Sequence, residues 1–183
     1  MEKRSQQNEF RGMKRIAFIG PESTAKSTLC AQLASHYNTL WVPEYAREFI
    51  SNLLQPYTMD DVLHCIKMQI EENKLAESKS NKILFADNEA INGMVWLIHK
   101  YGSCPQWILD EIKNNPFDLY LLTYPDIEFV ADNVRENGDR RIYFYEWYKK
   151  ELDERKLNYA VIKGKGEDRF ENALNAVEEF LKK

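Results

Sequence analysis

Several functional classes are disfavoured by what the chain lacks. It has three cysteines, Cys30, Cys65 and Cys104, far apart and with no CxxC pair. That spacing argues against a disulfide framework or a zinc site and for buried free thiols. The histidines His36, His64 and His99 are equally scattered. His36 and His64 fall among helical apolar positions, which suits packed residues better than ligands. No apolar run approaches the length that spans a bilayer. The start, Met1 to Gly12, is polar and without the apolar core of a signal peptide. A flexible tail over residues 1–13 and a cytoplasmic address are expected. Positive charge is not in surplus: 25 Lys and Arg against 29 Asp and Glu give a net charge of −4. Broad nucleic-acid or membrane-surface binding needs a dense basic face, so neither partner is expected, although a small basic pocket is compatible. Repeats, low-complexity tracts and linkers are missing too.

What is present suits one domain over residues 14–183. The 183 residues are 44% apolar and 30% charged, enough for a full hydrophobic core. Strand and helix patterns alternate, which predicts an α/β fold with a mainly parallel sheet. Strands are expected at Arg15–Ile19, Leu40–Val42, Ile83–Ala86, Leu119–Leu122 and Tyr159–Ile162. Helices are expected over Lys26–Tyr37, Glu44–Leu54, Thr58–Lys79, Asn88–Lys100 and Gln106–Lys113. Two more follow, one around Tyr145, Tyr148 and Leu152, and one carrying Phe170, Leu174, Val177 and Leu181 on one face.

Between the first strand and first helix stands Gly20-Pro21-Glu22-Ser23-Thr24-Ala25-Lys26-Ser27-Thr28. A turn in that context is a phosphate-binding loop: curled backbone N–H groups and a helix N-terminus hold an anion. Lys26 suits the outer phosphates of ATP and Ser27 a magnesium ion, with Thr28 near the inner phosphate. The second glycine of the usual G-x-x-x-x-G-K-[ST] pattern is replaced by Ala25.

Asp87 ends the third strand, where open parallel sheets collect ligands. It reads either as an acid that orients magnesium or takes a proton from an attacking hydroxyl, or as the cap of the following helix. Glu89 is a second acid nearby. Arg135, Arg140 and Arg141 read either as a lid that neutralises transferring phosphate or as solvated surface, with Glu136 and Asp139 interleaved. Glu44, Tyr45, Arg47 and Glu48 either line a substrate pocket or simply start a helix. Trp41, Trp96, Trp107 and Trp147 read as core or interface residues.

These segments together resemble the ribosylnicotinamide kinase domain of the NadR proteins and the wider group of NadR-like P-loop ATPases. The resemblance runs from about Lys14 to the C-terminus. It rests on GPESTAKSTL at Gly20–Leu29, VPEYARE at Val42–Glu48, ILFAD ending at Asp87, and Val95-Trp96. It continues through FDLYLLTYPDI at Phe117–Ile127, VADNVRENGDRR at Val130–Arg141 and GKGEDR at Gly164–Arg169. It implies a nucleoside- and nucleotide-kinase-like three-layer sandwich with a parallel five-stranded sheet. It implies transfer of the ATP γ-phosphate to the 5′-hydroxyl of nicotinamide riboside, with Asp87 activating the hydroxyl. Arg135, Arg140 and Arg141 match the lid, Gly164–Arg169 the loop near the adenine, and Glu44, Tyr45 and Arg47 the substrate side. The chain departs from the pattern at Ala25, at Asn88, at Glu128-Phe129 in place of Pro-Trp, and at Asn133. Phe129 then stands as the aromatic wall for the base. The chain has no room for an adenylyltransferase or helix-turn-helix domain, so adenylyl transfer and transcriptional regulation are not implied. The alternative is a regulatory nucleotide-binding module or NTPase with an altered loop and no kinase turnover.

Overall fold

The computed structural model describes residues 12–80, 82–132, 135 and 137–182. Most of the tail expected over 1–13, and Asn133 and Glu136, lie outside them. Among the described residues are five strands: β1 (Lys14–Ile19), β2 (Leu40–Val42), β3 (Ile83–Ala86), β4 (Leu119–Thr123) and β5 (Tyr159–Ile162). They form one parallel sheet in the order β2-β3-β1-β4-β5. The helices are α1 (Lys26–His36), α2 (Tyr45–Ser51), α3 (Met59–Lys79), α4 (Ala90–Tyr101), α5 (Gln106–Asn114), α6 (Arg141–Glu154) and α7 (Gly166–Leu181).

Alternation along the strands splits the core in two. Ile16 and Phe18 of β1 face α1 and α7, packing with Leu29, Leu33, Leu174 and Val177. Ala17 and Ile19 face the other way, onto Ile66, Ile91, Val95, Ile108, Tyr148 and Leu152. The sheet is therefore covered on both sides, the three-layer α/β sandwich that the family resemblance implies. Both faces of β3 and β4 are buried, so their residues form unbroken apolar runs.

Local signals set the ends. Thr58 and Asp61 cap α3 reciprocally, side chain to backbone in both directions. Gly102 ends α4 at φ 77. Three expectations change. Helix α6 begins at Arg141, four residues before the apolar stripe that signals it, because a 3-10 turn at Gly138–Arg140 leads straight into it. Helix α2 is shorter than Glu44–Leu54, with Glu44 at its N-cap. His36 and His64 are exposed, His36 edge-on to Tyr37 and His64 beside Tyr45 and Phe49. Cys30 and Cys65 are buried free thiols, while Cys104 is half-buried. No helix among the described residues is long and apolar enough to cross a membrane.

Candidate active site

Strand β1 lies at the sheet centre between β3 and β4. The turn from β1 to α1 and the end of β3 therefore meet at the carboxyl edge, where such sheets form their crevice. Gly20 opens the turn at φ 141, and a Cβ there would lie 2.5 Å from Thr123 Oγ1. Ser23 at φ 53 and Ala25 at φ 62 are left-handed, with Thr24 between them not. This alternation curls the backbone into an anion-binding concavity at the start of α1. Ala25 thus adopts the conformation that a glycine would supply. Lys26 Nζ donates to the carbonyls of Gly20 at 2.9 Å and Pro21 at 2.7 Å, folding back across the loop. Thr28 is exposed on α1.

Asp87 is 2% exposed and faces the loop. The Ser27 side chain, at the start of α1, lies on the side of this carboxylate and favours its charged form. Asp87 Oδ1 is buried with no hydrogen-bond partner. Desolvation raises its pKa, opposed by Lys26, Ser27 and Arg47. Burial lowers the pKa of Lys26, opposed by Glu44, Asp87 and Glu22. The cap of α4 is Glu89, not Asp87: Glu89 Oε1 accepts from the Ile91 N–H at 2.9 Å. Between the two acids, Asn88 sits at φ 135 and donates to Glu44 Oε1 at 3.1 Å. Backbone strain of this kind, held beside a buried acid, marks a constrained site.

A cavity of about 160 Å³ opens beside the phosphate loop. Lys26, Glu44, Arg47, Glu89 and Arg135 contribute its polar wall, and Tyr57, Trp96, Phe144 and Tyr148 its aromatic wall. Glu44 is desolvated and pushed up by burial and by Asp87, with Lys26, Arg47 and Asn88 opposing. Glu89 is pushed up to about 7 by burial, against hydrogen bonds from the start of α4. Tyr45 stays outside the lining, stacked on Phe49 with its hydroxyl 3.3 Å from His64 Nε2. Phe129 also stays outside it, against Gly138 and under the Arg141 guanidinium at 5.6 Å.

The three arginines separate. Arg141 Nη1 donates to Ser23 O at 3.1 Å and Ile127 O at 2.9 Å, tying α6 to the phosphate loop. Arg135 reaches the cavity wall while donating to Val130 O and pairing with Asp132 at 3.3 Å. Asp132 also takes Arg47 at 2.9 Å, so the segment after β4 is linked to α2. Arg140 is exposed and outside the lining. Asn137 N donates to Glu22 Oε2 at 3.0 Å and Val130 N to Ser23 Oγ at 2.9 Å. Val130, Asn137 and Arg141 are therefore each bonded to the outer rim of the loop.

The aromatic wall is what sequence reasoning missed. Phe144 and Tyr148 lie one turn apart on α6 and are buried, so their spacing reads as ordinary core. The available signal was polar: Asn92, one turn after the acids, is 7% exposed with Oδ1 unpartnered.

A family model described as an AAA domain matches residues 15–169. The chain belongs to that AAA domain family. It is also NadR-like. The trifunctional NAD biosynthesis/regulator protein NadR of Escherichia coli strain K12 is 26% identical over 179 residues, 92% of this chain and 43% of the relative. A solved NadR protein in complex with NR superposes with a TM-score of 0.75 at 26% identity, covering 93% of this chain and 52% of that one. This AAA-domain chain thus spans about half the length of the relatives it matches. The thymidylate kinase of Ehrlichia chaffeensis shares the fold, with a TM-score of 0.62 at 16% identity over 92% of this chain and 98% of that one.

Proposed function

We propose that this chain transfers the γ-phosphate of ATP to the 5′-hydroxyl of a small ribonucleoside, nicotinamide riboside first. The observation that carries this reading is the buried Asp87 carboxylate with its unpartnered Oδ1, at the strand end beside the phosphate loop whose Lys26 lines an aromatic cavity. The loop would cradle the phosphates with its backbone N–H groups, and Lys26 would swing from its carbonyl partners to the outer oxygens. Ser27 and the unpartnered Asp87 Oδ1 fit a magnesium ion, an oxygen-seeking cation that phosphate oxygens would complete. When bound, the ion would neutralise charge on the transferring phosphate. Asp87 would also accept the proton of the attacking hydroxyl through its other oxygen. Arg135 and Arg141 would offset negative charge from the rim, and Arg140 would join them only by moving from its exposed position.

Nicotinamide riboside carries a flat cationic ring. Tyr57, Trp96, Phe144 and Tyr148 offer π-faces to such a ring, and the carboxyl groups of Glu44 and Glu89 line the same cavity, where a bound cation would favour their charged forms. A NadR relative solved with NR supports the same acceptor. Reliance on cellular ATP fits a cytoplasmic address. The test is phosphate transfer by Asp87→Asn. A fall in kcat of about a hundredfold or more, with ATP still bound, is expected. Unchanged turnover would remove Asp87 from the reaction.

A further inference from the structure

Arg169 falls in the loop that the family resemblance puts near the adenine, yet its side chain is sealed in the protein at 2% exposure. Nη1 donates to Asp126 Oδ1 at 2.6 Å and to Gly164 O at 2.9 Å. Nη2 donates to Thr24 O at 3.0 Å and to Tyr124 O at 2.7 Å. The other Asp126 oxygen accepts the Gly164 N–H at 2.8 Å. One guanidinium thus joins the phosphate loop, the end of β4 and the loop before α7. A charge so buried persists only when it is paired and hydrogen-bonded, and Asp126 is its countercharge.

The bond to Thr24 O has a directional consequence. The Thr24–Ala25 peptide is trans and planar, so its carbonyl and the next N–H point opposite ways. With the carbonyl held inward by Arg169, the Ala25 N–H points away from the core, toward the side where an anion would sit. Ala25 must hold a left-handed conformation that residues with a Cβ rarely adopt. A glycine would tolerate it unaided; an alanine needs an external hold.

We propose that Arg169, clamped by Asp126, is a positioning residue that locks the Thr24–Ala25 peptide in its anion-binding orientation and serves phosphate rather than adenine. Only the nucleotide arm of its test rests on the kinase reading. Calorimetry on the full chain would compare ATP with inorganic triphosphate, both with magnesium, for wild type and Arg169→Met. Both ligands are expected to weaken about tenfold or more, by similar factors, as loss of one charged hydrogen bond implies. Adding Ala25→Gly to Arg169→Met is expected to restore part of that loss, because glycine reaches the left-handed conformation without the penalty a Cβ imposes. Weakened ATP with unchanged triphosphate would mean an adenine contact and overturn the proposal, as would failure of the glycine to restore anything. A crystal structure of Arg169→Met gives an answer even if the wild-type chain binds neither ligand, the result that would sink the kinase reading alone. The Thr24–Ala25 peptide is expected to rotate and Ala25 to leave positive φ; an unmoved peptide overturns the proposal. If Arg169→Met does not fold, Asp126→Asn keeps the arginine, removes its countercharge, and carries the same readouts.

Discussion

The hydroxyls of Thr24 and Thr123 lie 2.7 Å apart, both buried, and join the phosphate loop to the end of β4. Thr24 Oγ1 also lies 2.8 Å from the carbonyl of Pro21, to which it donates. Thr123 Oγ1 in turn lies 3.3 Å from the carbonyl of Ile19, so two hydroxyl protons serve three contacts that tie the loop to β1 and β4. Thr123→Val removes one hydroxyl from this network and leaves buried Thr24 Oγ1 and Ile19 O each short of a partner. A stability loss of about 1–2 kcal/mol is expected in urea denaturation. A loss below a few tenths would mean that the pair contributes nothing.

Ala25→Gly should be favourable for the fold. The left-handed conformation costs a residue with a Cβ about 1–2 kcal/mol, which glycine avoids while losing more chain entropy on folding. A net gain of about 0.5–1 kcal/mol is expected, again by urea denaturation. A destabilised glycine variant would show that the alanine methyl is packed to advantage.

The pH dependence of stability should carry a contribution from Glu89. Its folded pKa of about 7 lies above the ordinary glutamate value of 4.5, because burial penalises the charged carboxylate. The folded protein therefore holds this proton more tightly than the unfolded chain. Between those two values stability falls as pH rises, and above about pH 7 the whole penalty, on the order of 3 kcal/mol, is present. Glu89→Gln keeps a carbonyl oxygen for the Ile91 N–H and has no such titration. The difference in unfolding free energy between pH 5 and pH 8 should be smaller in that variant by a few kcal/mol. Equal pH profiles would show that Glu89 is solvated as a carboxylate.

Trp96 should matter to the acceptor and not to ATP. It lines the cavity from α4, away from the phosphate loop. Trp96→Ala is expected to raise KM for nicotinamide riboside about tenfold, the value of a desolvated cation–π contact, with KM for ATP unchanged. Steady-state kinetics on both substrates checks it; equal effects on both would place the ring elsewhere.

Local features of the sequence carried much of this account. Short apolar runs named the five strands, and Gly20 followed by Lys26-Ser27 located the phosphate loop, since strand, turn and helix there are contiguous. Thr58 announced its helix through its own side chain. The acceptor cavity was not legible, because its walls come from several separate helices and their inward side chains obey the same periodicity as core. Tyr45 and Phe129 were expected in that wall, but both pack on their own local segments. Arg169 was expected near the ligand from the family resemblance. Its burial depends on Asp126, 43 residues away, and no local pattern encodes that pairing.

The central claim is tested most directly by mass spectrometry of the reaction products. The wild-type chain would be incubated with magnesium, ATP and nicotinamide riboside, beside a reaction lacking the riboside. The account predicts nicotinamide mononucleotide and ADP in equal amounts, formed only when the riboside is present. ADP without the mononucleotide, or neither product although ATP is bound, would contradict it and point to an NTPase or a nucleotide-binding module.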